Sequence, residues 1–279
     1  MMCAMNKLDL TFREVLNQQT INLPRAALLF ARAIAHPDLD VEHNLNRLHR
    51  LADEARPALV GCTTMSARVD ALAEFLFVEV GFQGNQTDYY DPRNSLLNCV
   101  LDRKLGIPIS LACIFITVAQ QLGLPAYGIG LPGHFIAGVY HEGEEIYLDP
   151  FNAGARLSIA DCWRLVQQKN HREDTFQARW LAAVRPSDML ARMLTNLCNA
   201  YIHHEDWPKA IPTLQHLLLV QPETDFHLRD LGYVYMYNGS LRRSAQYLEE
   251  YLRRSPGVAD FEHVLTSLKI VAGRLALWN

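Results

Sequence analysis

The sequence predicts an α+β chain. A helical N-terminal segment and a helix-plus-antiparallel-sheet domain come first, and an all-helical repeat domain follows. Three observations carry that reading. Ile107 to Ala119 is a run of 13 mostly apolar residues, too short to cross a bilayer and of the length of a buried core helix. Phe135 to Tyr140 and Glu145 to Leu148 flank Glu142-Gly143, which is a hairpin signal. Beyond about residue 185 apolar positions recur every 34 residues, so the expected domains are 1–184 and 185–279.

Ala26 to Ala35 is a short apolar segment. After Pro37-Asp38, the spacing of Val41, Leu45, Leu48, Leu51, Ala52 and Ala55 draws one apolar helical face, ended by Pro57. Ala71 to Val80 predicts a buried helix, Gly81 to Pro92 a polar loop, and Ser95 to Lys104 a helix leading toward Gly106. Pro108 suits the first turn of the core helix, where its missing N–H would have no partner anyway. That helix should stop at Gly123, with Pro125 just beyond. If Glu142-Gly143 is the turn, position 136 opposes 149 and His134 lies diagonally across from Asp149 on the same face. Diagonal neighbours are about 7–8 Å apart at the backbone, within reach of an imidazole and a carboxylate. His134 and Asp149 can thus form a base and its orienting acid. Their plainer reading is a ring closing a turn on an Asp-Pro turn opener.

A glycine two residues before the helix's first turn, Leu-Gly-x-Pro closing the helix, and then His and Asp-Pro across a hairpin resemble the transglutaminase-like, papain-related fold. In that pattern a cysteine stands where this chain has Pro108. The resemblance narrows with Asn94-Ser95, Val100-Leu101, Arg103, Gly106-Ile107-Pro108-Ile109-Ser110-Leu111, Leu131-Pro132-Gly133-His134-Phe135 and Asp149-Pro150-Phe151. These resemble the bacterial SirB-type family, and the same module is seen in one eukaryotic F-box protein family. The resemblance spans residues 25–270. It implies a transglutaminase-like domain without its catalytic cysteine, joined to tetratricopeptide repeats, with no established activity.

Two residues are candidates for a displaced nucleophile. Cys113 lies some 140° around the helix from Pro108 and roughly 7.5 Å deeper, and Ser110 about 200° around and 3 Å along. Neither shares the face of position 108. Cys113 reads as a small buried hydrophobe and Ser110 as a satisfier of a free N–H in the first turn. A cysteine or serine hydrolase or acyl transferase using Cys113 or Ser110 with His134 and Asp149 stays open beside a non-enzymatic interaction or regulatory module. Tyr89, Tyr90, Arg93 and Asn94 are candidates for lining the His134 cleft, since a long loop beside a site is often functional.

Other classes are disfavoured. Gly128 to Gly133 fits G-x-G-x-x-G, but a strand-like segment follows it instead of a helix that could hold a pyrophosphate. The net charge of −4 and pI near 6.2 do not suggest a nucleic-acid partner. The six cysteines are scattered without C-x-x-C, and His203-His204 point to different helix faces, so no metal and no cofactor is expected. No secretory signal or membrane span is read, and reduced thiols in a cytoplasmic protein are the expectation. In the repeat, Leu197, Tyr201, Leu214, Leu217 and Pro222 are matched 34 positions later by Leu231, Tyr235, Leu248, Tyr251 and Pro256. This looks like the tetratricopeptide repeat, in which each helix pair exposes an apolar face that only a neighbour can bury. Phe261 to Leu277 would cap the stack. Asn199, Arg229, Asn238, Arg242 and Arg243 could line a groove for a protein or peptide partner.

Overall fold

The computed structural model describes residues 7–169 and 175–276. Contacts divide the chain near residue 193 into two compact units, with residues 33–35 grouped with the second. In the first unit the helices are α1 (Lys7–Leu16), α2 (Leu23–Ile34), α3 (Val41–Ala55), α4 (Met65–Glu74), α5 (Leu97–Arg103), α6 (Pro108–Gln121) and α7 (Ile159–Lys169). The strands are β1 (Gln83–Gly84), β2 (Leu105–Gly106), β3 (Ala126–Ile129), β4 (Ile136–His141), β5 (Glu144–Asp149) and β6 (Ala155–Leu157). β3 to β6 form an antiparallel sheet in sequence order, and β1 pairs in parallel with β2. The chain is therefore mixed, mainly helical with small sheets.

α6 is the centre of this unit. Leu111, Ala112, Cys113, Phe115, Val118 and Ala119 are wholly buried, and the helix packs on α3, β3, β4 and the 3-10 turn Pro150–Asn152. Its start is held by Ser110, whose hydroxyl accepts from Ile107 N at 3.0 Å and donates to Asn94 O at 2.7 Å. Such reciprocal bonding at a helix start satisfies amides that the helix leaves open. The helix closes at Gly123 with φ +77°, where a side chain would be strained.

The structure departs from the sequence expectations at several elements. The helix expected over Ala71 to Val80 begins earlier, at Met65, because Thr64 Oγ1 caps it by accepting from Ala67 N at 3.1 Å. It then loosens into a π turn over Phe75–Glu79. The segment expected as pure loop contains β1, held by Gln83 N to Lys104 O and Asn85 N to Gly106 O, both 2.9 Å. The glycine-rich stretch supplies β3, where a Cβ on Gly128 would sit 2.7 Å from the Phe135 ring and 2.8 Å from Met189 sulfur. Gly128 therefore serves close packing.

α8 (Pro186–His203) leads into the second unit, where α9 (Trp207–Val220), α10 (Phe226–Tyr237), α11 (Leu241–Arg254) and α12 (Phe261–Ala276) each pack on the next. The leucines and tyrosines that recur every 34 positions, from Leu197 to Tyr251, are all at most 3% exposed, whereas the recurring Pro222 and Pro256 are exposed. A Cβ on Gly232 would meet Leu248 at 2.4 Å, so α10 and α11 approach as closely as their side chains allow. Of the expected groove residues, Arg229 is engaged inward, its guanidinium bonded to Asp230 and Asp260. The expected capping segment is α12, and its last residue, Leu277, lies outside the described residues.

Candidate functional site

The hairpin fixes the site. Glu142 and Gly143 both take positive φ, as a two-residue turn that matches strand twist requires. The register is Ala137 opposite Leu148 through His141 opposite Glu144, which puts position 136 level with Asp149. His134 sits at the end of the Pro132-Gly133 turn, its backbone N donating to Leu131 O at 3.1 Å. Its ring Nε2 lies 2.8 Å from Asp149 Oδ2, and both residues are nearly buried, 5% and 1% exposed. Asp149 Oδ2 also accepts from Asn152 Nδ2 at 2.7 Å, and Oδ1 from Phe151 N at 3.0 Å. A carboxylate that takes three N–H bonds acts as acceptor only, so Nε2 carries the hydrogen and the ring presents Nδ1 as its free nitrogen. Nδ1 has no hydrogen bond among the described residues.

Around this pair stands an aromatic and basic rim. The Phe151 ring meets the His134 ring edge-on, centroids 6.2 Å apart. Tyr89 meets Phe151 at 6.3 Å and Tyr90 at 5.7 Å, and both tyrosines are more than two-fifths exposed. From α8, Arg192 Nη2 donates to His134 O at 2.8 Å, and its guanidinium lies over the Phe135 ring, 5.3 Å from the centroid. Burial lowers the Arg192 pKa, partly offset by Tyr89.

The expected loop residues divide. Asn94 is wholly buried and does not line the cleft. Its amide donates to Asp88 O at 2.7 Å and accepts from Asn85 Nδ2 at 3.1 Å, so it staples the loop from within. Arg93 points back to Asp91, which it shares with Arg103. Tyr89 stands next to the pair through Phe151. Asn152 and Arg192 carry no motif in the sequence. Asn152 could have been found from its place in the turn that Asp149 opens; Arg192, 58 residues from His134, offers no local signal.

Neither candidate nucleophile has a hydrogen bond to His134 among the described residues. Pro108 is the buried first residue of α6. The Ser110 hydroxyl is bonded to Ile107 and Asn94. Cys113 is fully buried, and burial pushes its thiol up to about 12, with a smaller lowering from Thr117. Since the thiolate is the nucleophile, this burial disfavours attack by Cys113 at neutral pH. The described residues contain no cluster of three or more His, Cys, Asp or Glu placed to hold a metal ion. No described helix is long and apolar enough to cross a membrane.

The chain is similar to several known proteins. A model of the transglutaminase-like superfamily matches residues 42–195. A UPF0162 protein of Xylella fastidiosa is 32% identical over 251 residues, 89% of each chain. One of Vibrio cholerae is 32% identical over 218 residues, 77% of this chain and 79% of that one. Human F-box only protein 21 is 33% identical over 138 residues, 46% of this chain but 21% of its own length. The crystal structure of menin, described as revealing the binding site for Mixed Lineage Leukemia protein, covers 96% of this chain and 70% of its own at a TM-score of 0.45 and 14% identity, too distant to argue from. With a hairpin-borne His134–Asp149 pair beside a buried core helix, and relatives aligned over most of its length, the chain belongs to the transglutaminase-like superfamily and, within it, to the UPF0162 family.

Proposed function

We propose that this chain is a non-enzymatic interaction module. Its transglutaminase-like unit keeps the His134–Asp149 pair as part of a peptide-binding surface, and its C-terminal helices act as tetratricopeptide-type repeats that recruit a protein partner. The observation that carries this reading is the state of the site itself: His134 is oriented by Asp149, yet its free Nδ1 has no hydrogen bond to a thiol or hydroxyl among the described residues. In the pattern that the sequence resembles, a cysteine stands where this chain has Pro108. The exposed tyrosines beside the pair supply rigid contact area of the kind that binding surfaces favour. For the repeats, the support is the period of 34, the burial of every recurring leucine and tyrosine and the Gly232–Leu248 contact.

The test is an array of random decapeptides probed with the full chain and with His134→Ala. A bound subset whose affinity falls about tenfold in the variant, a loss of 1.4 kcal/mol, is expected. Equal binding by both proteins, or none, refutes the reading. Cleavage or deamidation of the peptides by the full chain but not by His134→Ala overturns its non-enzymatic part.

A further inference from the structure

Arg192 holds a charge that no carboxylate among the described residues answers; the face of the Phe135 ring, 5.3 Å away at its centroid, answers it in part. A guanidinium has five N–H donors. In Arg192 these reach only backbone carbonyls, Leu131 O at 3.4 Å from both Nη atoms and His134 O at 2.8 Å from Nη2. Nε–H and one hydrogen on Nη1 have no acceptor among the described residues. No Asp or Glu among them pairs with it, and the one ionisable group whose charge bears on it is the Tyr89 phenol. Asp149, the nearest acid in the site, is already committed to His134, Phe151 and Asn152. A cation drawn out of water without a counter-ion is costly, and such groups are ordinarily paired. Clamping the Leu131–His134 turn and stacking over Phe135 explain three N–H bonds and part of the charge, but leave the two remaining donors without an acceptor.

The surroundings say what would answer it. Arg192, Tyr89, Phe151 and His134 form a ring of neighbours: Arg192 on His134 O, His134 edge-on to Phe151, Phe151 edge-on to Tyr89, and Tyr89 within electrostatic reach of Arg192. The Tyr89 hydroxyl has no hydrogen bond among the described residues, and burial raises its pKa, so it remains a neutral donor. We propose that Arg192 anchors a carboxylate of the bound peptide, with the Tyr89 hydroxyl as second donor and Phe151 as the apolar floor beside His134. One positive charge with two open N–H donors fits a single monoanionic carboxylate, from an Asp or Glu side chain or a chain end. A phosphate dianion would call for a second cation. This rests on the peptide-binding reading above and names the chemistry of what that surface takes.

The experiment is an NMR titration of the full chain with N-acetylphenylalanine as its carboxylate and, separately, as its neutral amide, following the Arg192 Nε–H and His134 ring signals. The carboxylate is expected to saturate both signals, with the amide about tenfold weaker or more, as loss of a charge-assisted hydrogen bond implies. Arg192→Gln should erase the preference, and Arg192→Lys should keep part of it. Equal affinity for the two probes, or a preference that survives in Arg192→Gln, overturns the proposal, as does absence of saturation by the carboxylate. The comparison of two probes on the unaltered chain stands even if Arg192→Gln fails to fold. Array peptides that bind equally well after their acids are amidated would remove the anchor and leave peptide binding intact. An array with no binders would remove peptide binding itself.

Discussion

Replacing Asp149 by asparagine changes one oxygen to an N–H2 group and tests the whole site. In the native chain Asp149 accepts from His134 Nε2 at 2.8 Å, Asn152 Nδ2 at 2.7 Å and Phe151 N at 3.0 Å. The asparagine oxygen can keep the Phe151 bond, but its NH2 then faces two donors. His134 escapes by changing tautomer, accepting at Nε2 and moving its hydrogen to Nδ1, and the exposed Asn152 by turning its amide so that its oxygen accepts. Replacing charge-assisted bonds to a buried carboxylate by neutral ones costs about 1.5–3 kcal/mol. For a domain of this size that lowers the melting temperature by about 3–12 °C. Thermal unfolding gives the magnitude, and nitrogen-detected NMR of the histidine rings gives the tautomer. A melting temperature within about 2 °C of the native chain, with the hydrogen still on His134 Nε2, would refute the argument that a buried carboxylate fixes the ring.

Three further outcomes follow from other parts of the molecule. Gly232→Ala places a methyl 2.4 Å from Leu248 and should destabilise the second unit by about 1–3 kcal/mol, measured by denaturant unfolding. Burial pushes the Asp91 carboxyl up, but its bonds to Arg93 and the charges of Arg93 and Arg103 outweigh this and hold it below its ordinary 3.8. Its stabilisation is therefore present above that value and is lost as pH falls through the lower folded pKa, so Asp91→Asn should destabilise at neutral pH by an amount that shrinks in acid. Iodoacetamide at neutral pH should label the half-exposed Cys62 and leave Cys113 untouched until the chain unfolds, as mass spectrometry of the digest would show.

The core helix and the hairpin are legible because each is specified locally. Pro108 and Gly123 bracket an apolar run, and Glu142-Gly143 sets a register from which the distance between His134 and Asp149 follows. What is hidden depends on partners far away in sequence. β1 and β2 are two residues each and exist only by pairing across 22 positions, too short to leave a pattern. β3 is masked by glycines whose purpose, room for Phe135 and Met189, is set by the fold. Thr64 is a capping signal present in the sequence, but the apolar run beginning at Ala71 draws attention past it. Tyr89 and Arg93, four residues apart in one loop, read alike as candidates, and only their contacts separate a residue facing the site from one folded back on Asp91.

The buried amide of Asn94 has a thermodynamic consequence for anything that docks here. By fastening residues 85 and 88 to the start of α6 through Ser110, it orders the tyrosine-bearing loop before a ligand arrives. Ordering a residue's backbone costs about 1–2 kcal/mol, and a loop that had to freeze on binding would spend much of its contact energy on that. Here the cost is met during folding. Association can then proceed without a slow closing step, and differences in affinity among ligands should appear mainly in how long they stay.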